Sequence, residues 1–74
     1  MKEIDLKATG ENITRLRNET GLSVIDIQKA LGFSTRMSIY KWQYGQTLPS
    51  VDNLVRLADL FNVKIDDIII TKEI

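Results

Sequence analysis

A length of 74 residues, 43% hydrophobic and 27% charged, describes one small globular domain across residues 1–74; such a chain buries only about 60% of the surface it exposes unfolded. The absence of Cys and His excludes disulfides, thiolate and imidazole metal ligation, and histidine acid–base chemistry. Ten Lys and Arg balance ten Asp and Glu, which argues against a non-specific polyanion binder, although the charge is unevenly spread. Residues 27–51 hold Lys29, Arg36 and Lys41 and no acid, whereas 57–74 hold two Lys against three Asp and one Glu. A polyanion would sit on the first of these segments. The longest apolar run, Ile68-Ile69-Ile70, is far short of the roughly 18 residues of a membrane span. Met1 to Asp5 alternates charged and apolar residues, unlike a secretory signal, so the cytoplasm is the expected compartment.

Residues 2–6 read as a short strand. Thr9, with Asn12 three residues on, is the expected cap of a helix carrying Ile13 and Leu16 and ending at Gly21. Ser23 and Asp26 form a capping box for a second helix, with Val24, Ile27, Ala30 and Leu31 along its stripe and Gly32 as its stop. Ser34-Thr35 offers a third cap and Gly45 a third stop. The segment 39–44 is locally strand-like, yet a lone strand between helices has no partner, so helix is expected. Residues 46–49 form a loop. Ser50 then caps the clearest helix, with Leu54, Leu57, Ala58, Leu60 and Phe61 at helical spacing and Asn62 as its left-handed stop. A last turn over 65–69 lacks a good cap because Lys64 stands there. Residues 68–74 again read as a strand, able to pair with 2–6 as a two-stranded ribbon.

The informative unit is 23–45: a capped helix, a Gly-containing turn and a second helix, expected over 35–44. This is the layout of a helix-turn-helix, whose second member enters the DNA major groove. At about 100° per residue, with Ile39 at zero, Trp42 falls at about 300° and these two define the buried stripe. The opposite side carries Tyr44 at about 140°, Met37 at about 160° and Lys41 at about 200°. Tyr40 follows at about 100° and Arg36 at about 60°. Arg and Lys can donate to guanine O6 and N7, while Met and Tyr offer apolar surface to thymine methyls and phenols to phosphates.

From Gly10 to Ile70 the chain resembles the lambda-repressor-like (Cro and cI type) helix-turn-helix family. The resemblance rests on Ile13-x-x-Leu16-Arg17, Gly21-Leu22-Ser23, Ala30-Leu31-Gly32-Phe33-Ser34, Ser38-Ile39-x-Lys41-Trp42-x-x-Gly45, Leu48-Pro49-Ser50, Asn53-Leu54-x-x-Leu57-Ala58 and Val63-x-Ile65-Asp66-Asp67-Ile68. It implies an all-α, compact five-helix domain with its core over about 9–70, binding double-stranded operator DNA as a homodimer and regulating transcription, most often as a repressor. Matching positions imply base contacts from Thr35, Arg36, Met37, Tyr40 and Lys41, and phosphate contacts from Ser23, Ser38, Tyr44, Gln46 and Thr47. Three departures stand out. Val24 replaces a common phosphate-touching Gln. Gln43 replaces a common Glu that pairs with the Arg at the position of Arg17. The stretch 31–39 is one residue longer than the usual turn, next to Thr35 and Arg36.

Trp42 is read as a core anchor rather than a base-stacking residue, and Leu48 and Phe61 as packing residues. Arg17, beside Ile13 and Leu16, is read as structural, and Lys29 as a solvated cation. Asp66 and Asp67 are read as helix-start charge rather than metal ligands. No metal, cofactor, small-molecule ligand or membrane partner is called for, and nothing points to an enzyme. The rival reading is an adaptor or antitoxin-like protein-interaction module that keeps the fold without binding DNA, with the exposed tyrosines as interface anchors. The Ile-rich tail is a further candidate for self-association.

Overall fold

The first helix of the computed structural model, which describes residues 1–74, starts earlier than a cap at Thr9 would place it. Asp5, inside the segment 2–6 that reads as a strand, takes extended backbone and accepts the Ala8 N–H at 3.0 Å, so Leu6 is helical and α1 runs Leu6–Glu19. Thr9 is therefore an interior helical residue and not a cap. It is fully buried, donating its hydroxyl to the Ile70 carbonyl at 3.3 Å and accepting the Ile70 N–H at 2.9 Å. Asn12 Nδ2 donates to the carbonyls of Asp67 and Ile68 at 2.7 and 2.9 Å. These two polar side chains sew the end of the chain to its beginning.

The second helix, α2 (Val24–Leu31), has its capping box: Ser23 Oγ accepts the Asp26 N–H at 3.0 Å, and the Asp26 carboxylate accepts the Ser23 N–H at 2.8 Å. Gly32 ends it at φ +72°, in the left-handed region that glycine enters without strain. Only Ile27 of its expected stripe is fully buried; Val24 and Leu31 are partly buried and Ala30 is exposed, because a helix this short meets the core with one edge. Then follow α3 (Met37–Gln43), α4 (Val51–Phe61) and α5 (Ile65–Ile68). Ser50 caps α4 by accepting the Asn53 N–H at 3.2 Å, and Asn62 closes it at φ 55°. For α5, Lys64 brings no side-chain acceptor; the Asp67 N–H goes instead to the Lys64 backbone carbonyl at 2.9 Å, and the Asp67 carboxylate accepts the Lys64 N–H at 3.0 Å.

The core joins all five helices: Ile13 and Leu16, Ile27, Ile39 and Trp42, Leu54, Leu57, Ala58 and Phe61, and Ile68. Outside it, β1 (Lys2–Ile4) and β2 (Thr71–Glu73) pair antiparallel with Lys2 opposite Glu73 and Ile4 opposite Thr71. The tail strand thus finds its partner edge in the same chain. No helix is long and apolar enough to cross a membrane.

The capping box carries a pH signature. The Ser23 backbone N–H, then the Ser23 hydroxyl and more weakly Lys29, hold the exposed Asp26 carboxyl below the ordinary carboxylate range, outweighing a small desolvation effect. The stabilisation is therefore complete above the unfolded-state pKa and is lost as pH falls through the lower folded value. Asp26→Asn is expected to make stability fall less steeply as pH drops below about 4. Denaturant titrations across that range check this, and an unchanged acid limb would contradict it.

Candidate nucleic-acid interface

What fixes α3 is its inner edge. Ile39 is fully buried, Trp42 nearly so, and the Phe33 ring meets the indole edge-on at 5.8 Å and 68°. This packing overrides the strand propensity of 39–44. The helix begins at Met37, two residues later than the Ser34-Thr35 cap suggests. Thr35 Oγ accepts the Met37 N–H only at 3.4 Å, and Arg36 takes the capping place, its carbonyl accepting the Tyr40 N–H at 3.2 Å. Thr35 and Arg36 consequently stand on the approach to α3, not within it.

The outer edge forms one open depression lined by Thr35, Arg36, Met37, Tyr40, Lys41, Tyr44 and Gln46. Met37 is 63% and Tyr44 68% exposed, and the Tyr40 and Tyr44 rings stack with centroids 6.2 Å apart and 15° between planes. No carboxylate lines it. The ion pairs of the protein are Met1–Glu73, Arg15–Glu19 and Lys72–Glu3, so the charges of Arg36 and Lys41 are uncompensated. An exposed apolar patch bordered by two free cations has no role in holding the fold together; it suits a ligand that is anionic outside and flat and partly apolar within.

The remaining candidates lie around this depression. Ser38 and Thr47 are exposed but do not line it. In the loop after α3, the N–H groups of Tyr44, Gly45, Gln46 and Thr47 all turn back to the carbonyls of Tyr40, Trp42 and Lys41. Tyr44, Gln46 and Thr47 can therefore donate to an anion only through their side chains. Ser23 is set apart at the start of α2, where its amide and hydroxyl are engaged by Asp26 and a carboxylate faces any incoming anion.

Behind the interface, Arg17 ties three segments together. Its Nε donates to Gln43 Oε1 at 2.9 Å and a terminal nitrogen donates to the Leu22 carbonyl at 2.8 Å. Gln43→Glu would convert the first of these into a charge-assisted bond, and it is expected to add about 1 kcal/mol of stability. The gain should vanish as the new carboxylate protonates in acid, and paired thermal melts at neutral and acid pH test it. Equal melts for mutant and parent at neutral pH would show that the pair is already saturated by solvent.

Two glycines set the distance between α1 and α3. A Cβ on Gly10 would overlap the Trp42 carbonyl oxygen and fall 2.7 Å from that of Gln43 and 2.9 Å from the Gly45 nitrogen. A Cβ on Gly45, at φ +71°, would fall 2.8 Å from the Lys7 Cα. The first turn of α1 is thereby pressed onto the loop that leaves α3. Residue patterning gives Lys7 no role, because a reading that starts the helix at Thr9 leaves it outside the domain's working parts. The sole local signal is Asp5, three residues before Ala8, as a cap.

A helix-turn-helix family model matches residues 13–68. The chain belongs to the helix-turn-helix family. Within it the chain is of the lambda-repressor-like type, which places it among DNA-binding regulators of transcription. No match is found among curated proteins. Among solved structures, the restriction-modification controller protein C.AhdI from Aeromonas hydrophila is similar with a TM-score of 0.76 and 25% identity, over 86% of this chain and 96% of that one. The DNA-binding domain of BldD is similar in fold, with a TM-score of 0.71 and 23% identity, over 86% and 92% of the two chains.

Proposed function

We propose that this helix-turn-helix protein is a sequence-specific transcriptional repressor of the cytoplasm that inserts α3 into the major groove of operator DNA as a two-fold homodimer. The observation that carries this reading is the carboxylate-free depression along α3, which Arg36 and Lys41 line, unpaired, together with Met37 and Tyr40. A groove about 12 Å wide admits one helix, and a helix held from behind by Ile39 and Trp42 presents the same side chains on each encounter. Thr35, Arg36, Met37, Tyr40 and Lys41 are the base readers in this proposal. Ser38, Tyr44, Gln46 and Thr47 hold phosphates through their side chains, and Ser23 contributes from the start of α2, where Asp26 tempers the attraction. Repression needs no further activity, since an occupied operator excludes other proteins by volume alone.

Few cations face DNA in one subunit, so useful affinity calls for pairing, and half-sites should lie about one helical turn apart. Selection from a randomised duplex library, followed by footprinting of the winner, tests the proposal. A palindromic winner supports both target class and symmetry; no enrichment overturns the reading. The exposed Tyr40–Tyr44 stack favours one rival, a protein-interaction module with these rings as anchors, and failure of the selection is the outcome that rival requires.

A further inference from the structure

We infer that Lys7 is a DNA-phosphate-binding residue which, with the side chains of Gln46 and Thr47, makes a backbone clamp beside α3; the assignment rests on the major-groove reading above. The close approach of the two glycines is its foundation. Gly45 packs on the backbone of Leu6 and Lys7, with a Cβ there falling 2.8 Å from Lys7 Cα and 3.1 Å from both Lys7 N and the Leu6 oxygen. Lys7 therefore stands next to the residue that separates Tyr44 from Gln46, both of which line the α3 depression.

The charge of Lys7 is available. The residue is exposed and takes part in none of the three ion pairs. Asp5, its acidic neighbour, turns its carboxylate to the Ala8 N–H, and Glu11, one turn further along α1, makes no ion pair with it. The loop over 44–50 carries no cation of its own. The amides of residues 44–47 are spent on α3 carbonyls, so Gln46 and Thr47 can offer a phosphodiester only neutral side-chain donors. An ammonium on a flexible stem supplies the missing charge without a fixed geometry, which suits a contact that positions the duplex and reads no base.

The test compares Lys7→Gln and Lys7→Arg with Lys64→Gln, a change at an exposed lysine just before α5, on the duplex recovered by selection and on a scrambled duplex of equal length. Binding is measured at several salt concentrations. Lys7→Gln is expected to weaken both duplexes by the same factor and to reduce the slope of log affinity against log salt by about 0.9, roughly a threefold difference across a fourfold change in salt. Lys7→Arg should keep the parent slope, and Lys64→Gln should match the parent throughout. An unchanged slope for Lys7→Gln overturns the clamp alone, as does a loss confined to the selected duplex, which would make Lys7 a base reader. A parent protein that binds neither duplex overturns the DNA reading, and the clamp with it.

Discussion

Arg36→Ala combined with Lys41→Ala is expected to abolish operator protection while leaving the thermal transition within about 4 °C of the parent. Both side chains are exposed and neither takes part in an ion pair, so their removal strands no buried partner. Alanine is also the better helix former at position 41. On the DNA side, each cation that donates to a base edge accounts for about 1–3 kcal/mol of discrimination, so losing two should weaken specific binding at least about 30-fold. Titration of the selected duplex by fluorescence anisotropy, with a melt of the same sample, gives both quantities. Equal binding by the double mutant and the parent would remove α3 from the interface and bring forward the protein-partner reading.

The second large effect concerns stability. Gly10→Ala lies inside α1, where alanine would ordinarily gain about 1 kcal/mol over glycine. Here the sign is expected to reverse. All three atoms that a Cβ would meet are backbone atoms at or just past the end of α3, and all lie closer than van der Waals contact allows. No side chain can rotate aside; α1 and α3 must separate, and with them the Arg17–Gln43 bond and the Gly45–Lys7 contact. Overpacking of this kind costs about 3 kcal/mol, out of roughly 4–11 kcal/mol expected for a chain of this length. A fall in melting temperature of more than about 10 °C follows, readable by circular dichroism. A rise in melting temperature would mean that the two helices slide apart freely and that the spacing is not fixed by Gly10.

The parts of the fold legible from the sequence are those whose cause is local. Ser23, Gly32, Ser50 and Asn62 cap or stop helices through atoms within a few residues of themselves, and each does so in the structure. The ribbon is legible from the alternating or β-branched apolar residues of 2–6 and 68–74, although only their outer parts, Lys2–Ile4 and Thr71–Glu73, pair. Asp5 is hidden by that same alternation, since its carboxylate looks like one more polar position of a strand. Thr9 misleads in the opposite way: a hydroxyl with the spacing of a cap serves a residue 61 positions distant. The start of α3 is a third case, because Ser34 and Thr35 have capping chemistry but the anchoring of Ile39 and Trp42 decides where the helix begins. The outer face of α3 follows from those two anchors by angle alone. The nearness of Lys7 does not, because it depends on two backbones meeting where no side chain stands between them.

The antiparallel ribbon has a consequence for the order of assembly. Lys2 and Glu73 are partners across nearly the whole chain, so closing that loop costs entropy while returning few contacts until the helices are in place. The ribbon should therefore zip last and open first, with its amides exchanging with solvent ahead of those in α1 and α4. Folding would proceed from the helical centre outward, and the two chain ends would act as a late clasp over a finished interior.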